Sequence, residues 1–299
     1  MGNEPGLKIG LGTAQFGLDY GISNRSGKVS RDEAARILAL AEAAGIRLLD
    51  TATAYGESEQ LLGDLLPEDH PFAIVTKLPR LPAGMTPSGA GGWVREAVAQ
   101  SLDRLRSSNL YGLLIHSAQD LLEPAGASVW QAMNELRRAR VVDKIGASVY
   151  TASDIDGLLA RYPLQLVQLP LNVFDQRLIR SGHLERLKVA RVEIHARSVL
   201  LQGLLLMDPA DLPDPHFDAA RTALRAFHLA ARDAGKTPLQ AAVAYAMSLD
   251  QVDVAMFGVT DETQLAEILG AAQPSLPRDW FTAFALDDQT ILNPALWPA

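Results

Sequence analysis

Short apolar runs alternate with longer amphipathic segments along the chain. The first run, "LKIGLGTA" (7–14), precedes "SRDEAARILALAEAAG", in which Ala34, Ile37, Leu38 and Ala41 recur at the spacing of one helix stripe. Ser30 and Glu33 have the spacing of a capping box there, and Gly45 supplies a C-terminal stop. "IRLLDTA" is followed by a short helix, "SEQLLGDLL", and "FAIVTKL" by "GWVREAVAQSLDRLR". "LYGLLIHS" leads to "SVWQAMNELRRAR", and "KIGASV" to a helix opening near Thr151 and Asp154. "LQLVQLPLN" precedes a helix around 180–190. "VEIHARSV" is separated by a Pro/Asp-rich loop (208–217) from "RTALRAFHLAARDAG" and "TPLQAAVAYAMSL", and "VDVAMFGV" with "DETQLAEILG" ends the series.

These are eight strand–helix units, and the strands read as continuous apolar runs. Such runs suit parallel strands covered on both faces. The pattern predicts an α/β protein, a (β/α)8 TIM barrel, as one domain over 1–299 with loop insertions after strands 3 and 7 and a short C-terminal tail. That tail, "TILNPALWPA", either covers the site or packs beneath it. An open doubly wound sheet is the competing fold. It wants a Gly-rich phosphate loop running into a helix, and "GLGTAQFG" does not lead straight into one.

Composition narrows the functions. A 299-residue chain with 48% hydrophobic and 21% charged residues buries a sizeable core. With no cysteine, disulfides, thiolate metal sites and a cysteine nucleophile are excluded. A net charge of -8 argues against nucleic-acid or anionic-membrane partners. No apolar run of about 18 residues marks a membrane span. "MGNEPGLKIG" lacks a signal-peptide pattern, so a cytoplasmic location is expected.

In such a barrel, chemistry gathers at the C-terminal ends of the strands. Those ends carry Asp50, Lys77 and His116 after strands two, three and four, with Tyr55 on the loop just past Asp50. Singly, each has an ordinary explanation: a cap, a solvated strand end, a hydrogen-bonded core histidine, a packed loop tyrosine. Together they assemble a proton donor. A free phenol has a pKa of about 10, an ammonium beside it favours ionisation, and a carboxylate holds the ammonium. A histidine then donates to the oxygen of a carbonyl that the phenol protonates, while a cofactor supplies hydride.

"LLDTATAYGESEQLLG", "IVTKL" and "LLIHS" resemble the aldo-keto reductases, over nearly the whole chain from "GLGTAQFG" to "GVTDETQLAEIL". The resemblance implies Tyr55 as general acid, His116 orienting the carbonyl, and Lys77, held by Asp50, lowering the phenol pKa. It implies NADPH or NADH as cofactor and a small-molecule carbonyl substrate, without a metal. Gly12, Thr13 and Ala14 would lie under the nicotinamide ribose, and Ser148 and Gln168 would hold the carboxamide. Gln202, Gly203 and Leu204 would pass the pyrophosphate. Val259, Thr260, Gln264 and Glu267 would meet the adenosine end.

The chain departs from that family in three places. Val149 follows Ser148 where an asparagine is usual. Arg197 stands where an aromatic ring often stacks on the nicotinamide; a guanidinium plane stacks there too, or it greets an anionic substrate. Gly258 and Gln264 replace the Lys and Arg that flank the 2'-phosphate, and Asp261 and Glu262 add negative charge, although Thr260 and nearby backbone N–H groups remain. Weak 2'-phosphate selectivity follows. Phe16, Tyr20 and the loop 79–92 are expected on the wall of the mouth, with Arg80 and Arg177 as candidate holders of a polar substrate. Two other functions compete: a nucleotide-holding regulatory protein similar to potassium-channel β subunits, and a metal-dependent hydrolase using His116, His195 and Asp50. The second lacks the close histidine pair that zinc sites favour.

Overall fold

In the computed structural model, which describes residues 7–212, 215–272 and 276–298, the apolar runs are eight parallel strands. They are β1 (Ile9–Gly12), β2 (Leu48–Asp50), β3 (Ala73–Leu78), β4 (Leu110–Ile115), β5 (Val142–Ser148), β6 (Leu166–Pro170), β7 (Glu193–Arg197) and β8 (Val254–Gly258). Each pairs with the next, and β8 pairs back onto β1 to close a (β/α)8 barrel. Closure satisfies every edge, and burial on both sides explains why the strands are apolar throughout. Inside, Leu48, Val75, Leu114, Leu166 and Met256 form a separate apolar plug. Outside, their strand neighbours such as Leu49, Ile74, Leu113 and Ile194 meet the helices in the main core.

Local signals act as read, with exceptions. Ala34, Ile37, Leu38 and Ala41 form the buried stripe of the helix Arg31–Ala43, and Gly45 takes a left-handed φ of 83° just after it. Ser30 Oγ accepts from the Glu33 amide at 3.3 Å, but the Glu33 carboxylate turns away to Arg36 and the Glu262 amide, so that box is half formed. At Thr151 and Asp154 the box is reciprocal. The expected loop 79–92 shortens to 79–86, because Thr86 caps a helix that begins at Pro87 despite three early glycines. A four-residue helical turn, Ala14–Gly17, does follow β1 directly, though it is a single turn. After β7 come a 3-10 turn, Leu201–Leu206, and the helix Asp218–Asp233; Pro213 and Asp214 of the intervening loop lie outside the described residues. Among the described residues no helix is long and apolar enough to cross a membrane.

The N-terminal end of the barrel is sealed by a polar cluster. Tyr111 Oη donates to the Glu193 carboxylate at 2.8 Å, Lys144 pairs with the same carboxylate, and His195 Nε2 lies 2.7 Å from it. Lys144 Nζ also reaches Tyr111 Oη at 2.6 Å and sits 4.7 Å from the ring centroid. Burial alone would raise the Glu193 pKa, but hydrogen bonds from His195 and Lys144 outweigh it and hold the carboxyl at about 2.

Candidate active site

The loop after β2 is built to present one tyrosine. Thr13 donates through both its amide and its hydroxyl to the Asp50 carbonyl at 2.9 Å, tying the ends of β1 and β2 together. Ser58 Oγ donates to the Thr13 carbonyl at 2.9 Å and accepts from Thr51 Oγ1 at 3.0 Å. Glu59, buried at 1% exposure, accepts from Thr76 Oγ1 and Arg104 Nε. The "SE" of the motif is therefore an anchor for the loop. Gly56 has φ 56°, and a Cβ there would lie 2.4 Å from the Gly17 carbonyl; one at Gly17 would lie 1.7 Å from that of Tyr55. Two backbones pass too closely for any side chain, and this contact fixes where Tyr55 stands.

The four strand-end residues meet. Lys77 Nζ donates to both Asp50 oxygens at 2.7 and 2.8 Å, to the Thr51 carbonyl at 2.9 Å, and lies 3.4 Å from Tyr55 Oη. Gln168 Nε2 holds Asp50 Oδ1 at 2.7 Å from across the barrel. The His116 ring stands edge-on to Tyr55, with centroids 6.1 Å apart, and makes no hydrogen bond to another described residue.

Electrostatics correct one expectation. Burial, then the charge of Asp50, pushes the Tyr55 phenol well above the ordinary tyrosine range, so Lys77 does not leave it acidic. The reason is that the ammonium is engaged first by Asp50. Lys77 itself is lowered by burial, with Asp50 opposing. Burial, followed by the charges of Lys77 and Arg197, brings His116 down to about 4 and keeps its ring neutral at physiological pH.

These groups open into one cavity of about 820 Å³ at the C-terminal end of the barrel. Its lining includes Asp50, Tyr55, Lys77 and His116, and from the remaining predicted set Gly12, Ala14, Tyr20, Ser148, Gln168, Arg197, Gln202, Gly203, Thr260, Gln264 and Glu267. Gln168 Oε1 and Gln15 Oε1 are buried there without partners among the described residues. The tail reaches the same wall through Pro294 and Ala295, while Trp297 packs on Phe217.

Other predicted residues lie elsewhere. Phe16 is 1% exposed in the main core, because a one-turn helix rotates it away from the mouth and leaves Tyr20 as the ring on that wall. Thr13, Leu204 and Val259 are buried behind the lining; Thr13 serves the strand junction and the other two pack in the core. Arg80 is solvent-exposed beside Asp120, Arg177 pairs with Asp175 at 2.7 Å, and the segment 79–92 contributes nothing to the wall. His195 belongs to the basal cluster, separated from His116 by the apolar plug. Arg197 does not present a bare plane: its guanidinium lies 4.1 Å from the Tyr150 ring centroid. Three of the backbone N–H groups between 260 and 264 are taken, Thr260 by Gln264 Oε1, Glu262 by Glu33 Oε1 and Gln264 by Asp261 Oδ1.

Several lining residues escaped the sequence reading. Tyr150 follows the end of β5, and the strand-end rule finds it once the strand is extended by two residues. Gln15 sits in "GTAQFG" just past β1. Asn24, Arg25 and Ser26 come from a loop that reaches across the mouth, where Ser23 Oγ bonds the Gln202 carbonyl and Gln202 Nε2 bonds Tyr20 Oη. Nothing in the local pattern marks that crossing.

A closed eight-stranded parallel barrel with Asp, Tyr, Lys and His converging at its C-terminal mouth defines a class of oxidoreductase barrels. The family model for the aldo/keto reductases matches residues 8–285, and the chain belongs to that family. It is 32% identical over 205 residues to the aldo-keto reductase str7 of Strobilurus tenacellus, covering 65% of this chain and 57% of that protein. Among solved structures, the glycerol dehydrogenase AKR11B4 of Gluconobacter oxydans superposes with a TM-score of 0.74 at 25% identity, over 99% of this chain and 95% of that one. The holo form of an aldo-keto reductase from Bacillus halodurans, AKR11C1, shares the fold at a TM-score of 0.74 and 20% identity, over 93% and 92% of the two chains.

Proposed function

We propose that this protein reduces an aldehyde or ketone to an alcohol with NADPH or NADH, or runs the reverse oxidation, with Tyr55 as general acid. The observation that carries this reading is a protonated phenol facing the cavity with an ammonium 3.4 Å from its oxygen. A proton donor must hold its proton until charge develops on the substrate, and burial does that here. As the proton leaves, Lys77 stabilises the phenolate, and Asp50 with Gln168 keeps Lys77 in place. His116, neutral, offers one ring N–H to the carbonyl oxygen without competing as an acid.

The dinucleotide supplies hydride when bound. The cavity suits it: the orphaned Gln168 Oε1 beside Ser148 would accept from a carboxamide N–H, and Gln15 Oε1 offers a second acceptor. At the far end Gln264 folds back on Thr260, and Glu267 and Asp261 stand where a 2'-phosphate would need cations. Arg25 is the cation that the lining adds outside the catalytic end. NADH is therefore a usable cofactor. The test is loss of reduced-nicotinamide absorbance across a panel of aldehydes and ketones with either dinucleotide. Turnover on one or more supports the reading; binding with negligible turnover on all of them favours a nucleotide-holding regulatory protein instead.

A further inference from the structure

Arg197 ends β7 and lines the cavity with Tyr55 and His116, in a protein whose net charge is -8. Its ring partner is Tyr150, which holds one face of the guanidinium at 4.1 Å. Its hydrogen bonds are long: Nη1 to Ser198 Oγ at 3.4 Å and Nη2 to the Val149 carbonyl at 3.3 Å. Nε is buried with no partner, and no carboxylate pairs with Arg197 among the described residues. Lys77 and Asp50 neutralise each other, so Arg197 is an uncompensated positive charge beside the reacting groups. A half-buried guanidinium with open donors is costly unless an anion meets it, and its planar fork suits an anionic oxygen pair.

We infer that Arg197, braced by Tyr150, is the specificity-determining residue that selects carbonyl substrates bearing an anionic oxygen group, a carboxylate or a phosphate ester. This rests on the carbonyl-reduction reading of the same site and adds the substrate class. The sequence alone allowed Arg197 to stack on nicotinamide or to meet an anionic substrate; Tyr150 covers one of its faces, and its weakly engaged in-plane N–H groups are open to a ligand. The Coulombic effect of Arg197 on both Tyr55 and His116 fits an anion bound close to the carbonyl.

The experiment measures dead-end binding to the wild-type protein saturated with oxidised dinucleotide. 4-carboxybenzaldehyde is compared with its methyl ester by calorimetry, and glyceraldehyde 3-phosphate with glyceraldehyde separates phosphate from carboxylate. The expected result is at least about tenfold tighter binding of one anionic member than its neutral partner, the ~1.4 kcal/mol of a charge-assisted bond. In Arg197→Met that ratio falls below about twofold, and Arg197→Lys restores part of it. Ratios near one in the wild type overturn the inference. So does a ratio that survives Arg197→Met while dinucleotide binding weakens, which would assign the guanidinium to the cofactor. Because binding is read without turnover, absence of reduction would count against the catalytic reading and leave this ratio to decide the anion.

Discussion

The two ends of this barrel carry the same four kinds of side chain. At the C-terminal mouth stand Asp50, Tyr55, Lys77 and His116; at the base stand Glu193, Tyr111, Lys144 and His195. At the base every partner turns on one carboxylate, and the phenol, ammonium and imidazole all spend hydrogen bonds on Glu193. At the mouth only Lys77 is spent on the acid, while Tyr55 Oη keeps one long contact and His116 none to the described protein. The base turns its groups onto one acid, with His195 Nδ1 buried and unpartnered among the described residues, whereas the mouth leaves donors open onto a cavity. Residue types alone do not make a site; unspent donors facing space do.

The lysines sharpen that contrast most. Lys77→Met leaves Asp50 buried without its cation, at a cost of about 3–5 kcal/mol, and removes the charge that receives the phenolate, so carbonyl reduction falls by about 10²-fold or more. Lys144→Met, at a half-exposed position, costs about 1 kcal/mol and leaves kcat/KM within about twofold. Chemical denaturation and steady-state rates on both variants check this. Equal losses of turnover in the two would dissolve the distinction.

Acid separates the ends differently. The Glu193 carboxyl is depressed from 4.5 to about 2, so its contribution is present above about pH 4.5 and is lost as pH falls toward 2. His116 is depressed from 6.5 to about 4, so the unfolded chain takes up that proton first, and stability declines as pH falls from 6.5 to 4. Glu193→Gln should flatten the lower part of the acid-unfolding curve and His116→Asn the upper part. Curves unchanged in shape by either substitution would contradict the assigned shifts.

The smallest effect lies at the end of the mouth proposed for the adenosine, where the amides at 260, 262 and 264 are already paired. The dissociation constants of NADPH and NADH should differ by less than about tenfold, since those three amides are spent and Asp261 and Glu267 add negative charge. A hundredfold advantage for NADPH, measured by fluorescence titration, would mean that those pairs open.

Sequence periodicity carried the barrel because parallel strands buried on both faces leave uninterrupted apolar runs. The four residues that meet at the mouth were legible because each closes such a run or follows it by a fixed step. Phe16 was misplaced because a single helical turn after β1 reverses the direction that a strand would have given it. The Arg197–Tyr150 pair and the Ser23–Gln202 crossing join segments far apart in sequence, so no local pattern announces them. The basal cluster stayed hidden for the same reason: Tyr111, Lys144 and His195 meet only through barrel closure around Glu193.

The central claim is that the phenol left open at the mouth, unlike its counterpart at the base, hands over the proton. Single-turnover reduction of one aldehyde should be timed in wild type, Tyr55→Phe and Tyr111→Phe, each preloaded with reduced dinucleotide. The account predicts a loss of about 10²- to 10⁴-fold in Tyr55→Phe with dinucleotide affinity retained, and a rate within about twofold of wild type in Tyr111→Phe. An undiminished rate in Tyr55→Phe would contradict it.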